Sequence, residues 1–240
     1  MRYTGVDGCR GGWCVVTLPD DGLGSVRIEP DFEAVWKNHR DSSCLLVDIP
    51  IGLLECMENG ETARRCDGPA RRLLGKGATS RVFPAPCRQA VYASNKSLAK
   101  QQNIEYLGKS LSEQTLMIAP KIREVDELLL READARAKVF EVHPELLFYF
   151  LAGGKTLPPK RSKAGEQARK EILKRMEPRT EDLLNQAAAL SKQYAALDDV
   201  LDALACAVTA LKSQCSFQTI PENVPKDARG LPMQMVYWKP

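Results

Sequence analysis

The chain has 240 residues, a formal net charge of +3 and an apolar share of 44%. That length suits one domain carrying an insertion, and the apolar share is enough to bury a sizeable core. No run of about 18 uncharged apolar residues is present, which argues against a membrane-spanning helix, and the charge is too mild for a general polyanion binder. The eight cysteines, at 9, 14, 44, 56, 66, 87, 206 and 215, form no CxxC pair. The start, MRYTGVDGCRGGW, lacks the basic-then-apolar layout of a secretory signal. The thiols therefore read as reduced core residues of a cytoplasmic protein, not as a disulfide frame or a zinc site.

In chain order, RYTGVD over 2–7 predicts a short strand, followed by the glycine-rich turn GCRGG. WCVVTL predicts a second strand closed by PDDG, and SVRIEP a third. DFEAVWKNHR places Phe32, Val35 and Trp36 at helical spacing behind Asp31 as N-cap, and His39 reads as surface. CLLVDIP is a continuous apolar run that stops at Asp48, as in a strand covered on both faces. This order fits a three-strand meander, a crossover helix and a parallel strand. Residues 51–137 break the pattern and read as a mainly helical insertion, in which Pro120 kinks or splits a helix. KVFEV resumes the core as a strand, Pro144 opens a helix and Gly153-Gly154 ends it. The basic helical stretch AGEQARKEILKRM follows. ALDDVLDALACAVTALKS is the last clear helix, with Leu197, Leu201, Leu204, Val208 and Leu211 as one buried stripe, and MQMVYW offers a final strand.

The acids carry the chemistry by their places. Asp7 closes the first strand, Asp48 the central one, and Glu141 lies in VFEVHP. Asp199 and Asp202 share a helix face at i,i+3. Acids at strand ends are costly to bury unless paired or metal-bound, and the carboxyl ends of strands in an open parallel sheet are where ligands bind. Converging carboxylates favour a hard dication, Mg²⁺ or Mn²⁺, and two such ions about 4 Å apart serve phosphodiester hydrolysis. Each acid also has a plainer reading: a turn for Asp7, a strand-end hydrogen bond for Asp48, an arginine pair for Glu141 and the helix dipole for Asp199. Asp202, one turn inside its helix, escapes the capping explanation.

GVDGCRGGW, VDIPIGL, RRCDGPARRLLGKGATSRVFPAP, EVHPE and DDVLDALACAVTA occur in this order. Together they resemble the DUF429 family of predicted nucleases over roughly Thr4 to Met235. The resemblance implies an α/β, ribonuclease H-like fold: a mixed five-stranded sheet flanked by helices, with the mainly helical insertion laid over it. DDVLDALACA is also similar to the last acidic helix of RuvC-type Holliday-junction resolvases, whose two metal-binding acids fall here on Asp199 and Asp202. The strand-one acid of those enzymes matches Asp7. Their fourth-strand acid matches Asp48, where they have the longer glutamate.

Around these acids, His143 in EVHPE is a candidate to position water or shuttle a proton, or else a helix cap, and Glu145 suits the helix dipole. Residues 61–88 hold Arg64, Arg65, Arg71, Arg72, Lys76, Arg81 and Arg88 against only Glu61 and Asp67. Residues 153–175 hold eight basic residues, including Lys160, Lys163 and Arg169, against Glu166 and Glu171. Arg64, Arg71, Arg81, Arg88, Lys160, Lys163 and Arg169 are candidates to grip substrate phosphates, with the solvated helix face as the competing reading of the second stretch. Gly75, Gly77 and Ser80 add donors in a loop that is no Walker motif. Trp13 and Phe83 are the aromatics that stand apart as candidate base contacts.

These features lead to a metal-dependent nuclease in which Asp7, Asp48, Asp199 and Asp202 hold Mg²⁺ or Mn²⁺, with Glu141 and His143 beside them. The partner is nucleic acid, RNA or DNA, and the oligomeric state is open, a dimer included. Two alternatives remain. One is a nucleotide phosphotransferase, since GVDGCRGGW is similar to the first phosphate loop of actin-like ATPases. The other is a non-catalytic nucleic-acid-binding module whose acids are structural.

Overall fold

The computed structural model describes residues 1–57, 60–75, 81–190 and 194–240. The chain opens as the expected meander: β1 (Arg2–Cys9), β2 (Gly12–Pro19) and β3 (Ser25–Glu29). The β1–β2 turn needs glycine at Gly12, where φ is +125° and a Cβ would stand 2.2 Å from the Glu29 carbonyl oxygen. Helix α1 (Phe32–His39) starts at the predicted cap, with Asp31 Oδ1 accepting the Ala34 N–H at 2.7 Å. Strand β4 (Cys44–Val47) pairs in parallel with β1, and β5 (Val139–Glu141) in parallel with β4. The sheet order is β3-β2-β1-β4-β5, with β2 antiparallel to both neighbours. This mixed five-stranded sheet with helices on its faces is the ribonuclease H-like arrangement.

Between β4 and β5 the chain forms α2 (Asp67–Leu74), α3 (Arg88–Val91), α4 (Lys96–Leu107), α5 (Glu113–Arg131) and α6 (Ala133–Lys138). Helix α5 runs as one helix through Pro120, so of the expected kink or split the split does not occur. Pro120 is exposed, while Leu116, Ala119, Ile122 and Val125 on either side of it are buried. Burying a large apolar side chain is worth about 1.5–3 kcal/mol, so together these outweigh the ~3 kcal/mol that a mid-helix proline costs. After β5 come α7 (Pro144–Leu151), α8 (Lys163–Met176), α9 (Thr180–Ala189) and α10 (Leu197–Ser213). The anticipated last strand is β7 (Met235–Tyr237), paired antiparallel with β6 (Gln218–Ile220). Among the described residues no helix is long and apolar enough to cross a membrane.

One sheet face packs Val6, Trp13, Val15 and Val47 against α1 and the buried side of α5. Trp13 is fully buried there, its indole N–H donating to Glu124 Oε2 at 2.8 Å, so it belongs to the core and is closed to a base. The other face carries α10. This helix is buried on nearly every side from Val200 to Ala210, not along one stripe, and Leu197 at the head of the expected stripe is 38% exposed. The reason is a backbone approach. A Cβ at Gly5 would stand 2.1 Å from the Ala203 carbonyl oxygen and 2.2 Å from the Ala207 nitrogen. Glycine on β1 and alanines on α10 let helix and strand meet without side chains between them.

Two further expectations are corrected. Cys44, at the start of β4, and Cys215, just past α10, are bonded as a disulfide with Cα atoms 6.0 Å apart. Cys9, Cys14, Cys56, Cys66, Cys87 and Cys206 are free thiols. His39 is buried, its Nδ1 3.2 Å from Thr17 Oγ1 and its Nε2 3.2 Å from Glu29 Oε1.

Candidate functional site

Strand parity decides which acids meet. Val6, Val47 and Glu141 lie side by side across β1, β4 and β5, so their side chains leave the same face, the one covered by α5. Asp7 and Asp48 are each one residue further on, with the Asp48 N–H donating to the Val6 carbonyl at 3.0 Å, and so turn to the face of α10. Gly5 fixes Ala203 and Ala207 against β1, which brings the helix's first turns, with Asp199 and Asp202, towards the strand's carboxyl end. Four of the predicted acids thus gather at one end of one sheet face. Glu141 does not join them.

Their electrostatics report the gathering. Burial pushes the Asp7 carboxyl well above the usual range, and the nearby Asp48, Asp202 and Asp199 push it further. Burial raises Asp48 to about 7 and Asp202 to about 6, in both cases against the pull of Lys160. Asp199 is raised by burial as well, but its Oδ2 accepts the Ala196 N–H at 2.8 Å, so it closes the start of α10 too. Among the described residues the Asp7 and Asp48 carboxylates accept no hydrogen bond, and Asp202 Oδ1 is buried without a partner. Lys160 is the local cation: its Nζ lies 2.9 Å from Asp202 Oδ2 and 3.5 Å from Asp198 Oδ2, and these acids raise its pKa. Among the described residues no group of three or more His, Cys, Asp or Glu side chains stands as placed to hold a metal ion. The donor set is nonetheless all hard carboxylate oxygen, with one buried oxygen unsatisfied, which suits Mg²⁺ or Mn²⁺.

A cleft of about 310 Å³ adjoins the acids, lined by Lys160, Arg161, Leu197, Asp198 and Asp202 among others. Lys163, at the start of α8, is exposed nearby in the chain. Sequence reading missed Arg161, which had no pattern to single it out, and Lys121 of α5. The Lys121 Nζ donates to the Gly12 carbonyl and sits 4.5 Å from the Trp13 ring centroid, and its charge acts on Asp199.

Of the remaining candidates, Arg169 also lines the cleft beside the acids and His143 feels the Asp202 charge, while Glu141, Arg64, Arg71, Arg81 and Arg88 lie outside it. Glu141 receives both Arg64 Nη1 and Nη2, at 2.7 and 2.8 Å, and the Ile51 N–H at 2.6 Å; Arg64 also meets Asp67 at 2.8 Å. Both side chains are buried on the face away from Asp48, so Glu141 is a structural ion-pair partner and Arg64 is sequestered from any phosphate. Arg88 is buried as well, held by Asp126 and by Asp227 at 2.5 Å. Arg169 is buried beneath Glu145, and Arg81 meets the same carboxylate; Glu145 is therefore more than a dipole-favoured acid. A guanidinium already neutralised by a buried carboxylate has no charge to spare for a substrate. His143 does not cap α7 with its side chain. Its Nε2 lies 3.1 Å from the Arg81 carbonyl and its buried Nδ1 has no partner, while burial lowers its pKa. Neutral imidazole with Nε2–H donating leaves Nδ1 as an acceptor. Arg71 and Phe83 line a second cleft, away from the acids. Gly75 ends α2 with positive φ, and Lys76, Gly77 and Ser80 fall outside the described residues.

A family model described as "Protein of unknown function (DUF429)" matches residues 5–226. The chain belongs to this family. The match in DUF429 runs from within β1 to beyond β6 and so includes all four gathered acids. No curated protein and no solved structure matches the chain.

Proposed function

We propose that this DUF429 protein is a divalent-metal-dependent nuclease. The observation that carries the proposal is the meeting of Asp7, Asp48 and Asp202 at the carboxyl end of one sheet face, with Asp202 Oδ1 buried and unsatisfied. Asp7, Asp48 and Asp202 would hold Mg²⁺ or Mn²⁺, assisted by the oxygen of Asp199 that does not cap α10. Such an ion supplies activation of water and stabilisation of the leaving oxygen in phosphodiester hydrolysis. The side chains do the rest. The carboxylates set the electrostatic frame in a partly dry site, where fixed charge counts for most. Arg161, exposed on the adjoining cleft, is the cation placed to receive a phosphate backbone, while Lys160 stays paired with Asp202. His143, on which the Asp202 charge acts, keeps a buried acceptor Nδ1.

The test incubates the protein with labelled RNA, duplex DNA, RNA–DNA hybrid and branched DNA in Mg²⁺ or Mn²⁺. Cleavage by the wild type that is lost in Asp7→Asn and in Asp202→Asn is expected. No cleavage of any substrate, or undiminished cleavage by both variants, refutes the nuclease. One observation favours a second reading: Lys160 already neutralises Asp202 without a metal. A non-catalytic nucleic-acid-binding module would then bind its partner equally well with EDTA present.

A further inference from the structure

A cleft of about 440 Å³ opens between the end of α2, the segment Val82–Ala85 and the α4–α5 connection, and it shares no residue with the acidic cleft. Its wall is apolar, built from Val82, Phe83, Pro84, Ala85, Leu107 and Leu111. Its charged lining is Arg71 and Lys109, with no acid among the lining residues. That imbalance is unusual for this chain. Six arginines are buried or half-buried among the described residues: Arg64, Arg71, Arg81, Arg88, Arg169 and Arg179. Five of them meet a carboxylate: Arg64 with Glu141, Arg81 and Arg169 with Glu145, Arg88 with Asp227, and Arg179 with Glu177. Arg71 alone does not. Its Nε donates to the Val82 carbonyl at 2.6 Å, which fixes the guanidinium at the cleft, and among the described residues neither terminal nitrogen has a partner. Lys109 makes no ion pair among the described residues. The buried Asn103 holds the cleft's shape: its Oδ1 accepts the Cys87 N–H at 2.8 Å and its Nδ2 donates to the Lys109 carbonyl at 2.7 Å.

We propose that this cleft binds a small organic anion with a flat apolar body, its charged group held by Arg71 and Lys109 and its body against Phe83, Pro84 and Leu107. The volume is in the range of small-molecule sites, and a preset guanidinium facing a carboxylate or phosphate over an apolar wall is the usual composition of such sites. Charge alone lacks the wall's contribution, and an apolar body alone leaves the two cations without an anion. The ligand therefore needs both parts. This inference does not rest on the nuclease reading.

The experiment is titration calorimetry and thermal melting of the full chain with adenosine monophosphate, phenyl phosphate and benzoate as probes. Adenosine, benzamide and inorganic phosphate serve as their controls. At least one aromatic anion is expected to bind about tenfold or more tightly than its neutral counterpart and than inorganic phosphate. That affinity should fall about tenfold or more in Arg71→Gln and in Lys109→Gln, as expected when a hydrogen bond to a charged group is lost. Lys109 is exposed, so its variant folds as the wild type does. No binding of any of the three anions up to about 10 mM overturns the proposal, as does equal binding of the neutral counterparts or undiminished binding by the Lys109 variant. Nuclease activity is not read in any arm, so failure here leaves the acidic site untouched.

Discussion

Asp202→Asn tests the electrostatics of the acidic site without needing a substrate. An aspartate in the unfolded chain titrates near 3.9, and burial raises Asp202 to about 6. A folded-state pKa above the unfolded one means the group favours folding fully below about 3.9, and that contribution is lost as pH rises through about 6. Two units at 1.36 kcal/mol each put roughly 3 kcal/mol against the folded state at pH 8, and well under about 1 kcal/mol at pH 4. Asparagine keeps the shape without the charge. In a chain of this size 1 kcal/mol moves Tm by about 2–4 °C, so the metal-free variant should melt roughly 6–12 °C above wild type at pH 8 and within about 2 °C of it at pH 4. The assay is thermal unfolding by circular dichroism in EDTA across that pH range. A variant no more stable than wild type at pH 8, or equally shifted at both pH values, refutes the picture of mutually repelling buried carboxylates. A stabilising loss of a site residue is the signature of a group kept for function at the expense of the fold.

Further outcomes follow from the same structure. Lys160→Met removes the cation that opposes Asp7, Asp48 and Asp202, so metal-free Tm should fall at pH 8 and stay close to wild type at pH 4. Millimolar Mn²⁺ should raise the wild-type Tm, more at pH 8 than at pH 5 because the acids must be ionised to bind it, and EDTA should reverse the rise. Arg64→Leu leaves the buried Glu141 and Asp67 without their guanidinium and should cost about 3–5 kcal/mol in urea unfolding. Gly5→Ala forces a methyl against the Ala203 carbonyl and should cost about 1–3 kcal/mol or more, read by the same unfolding curves.

What could be read from the sequence was local. Asp7 lies two residues inside the end of β1 and Asp48 directly follows β4, and the parallel register of the two strands makes them neighbours. Asp199 and Asp202 were readable from helical spacing alone. Glu141 looked equivalent to Asp48, yet the β4–β5 register turns it to the other face, and register is a long-range property that a strand's own residues do not display. That Arg64, Arg81 and Arg88 are taken up by carboxylates is hidden for a related reason. Their partners lie far along the chain, as Arg88 and Asp227 do at a separation of 139 residues, so the stretch 61–88 looks unpaired only in one dimension. Cys44 and Cys215 are 171 residues apart, and neither spacing nor context marks them off from the six free thiols. The helix does not split at Pro120 because burial on either side, which the proline's own cost does not display, holds it together.

Glu145 joins parts of the molecule that the sequence keeps well apart. One of its oxygens takes Arg81, which follows the arginine-rich loop, and the other takes Arg169 of α8 at 2.5 Å. Arg169 in turn donates to the Pro158 carbonyl at 3.0 Å, two residues before Lys160, and the Arg81 carbonyl meets His143. A single carboxylate is therefore a tether shared by both basic segments, beside the Arg81–Leu157 and Thr156–Leu74 hydrogen bonds. Neutralising it would slacken the two together, so the imidazole and the ammonium beside the acids would lose their bearings in one event instead of two.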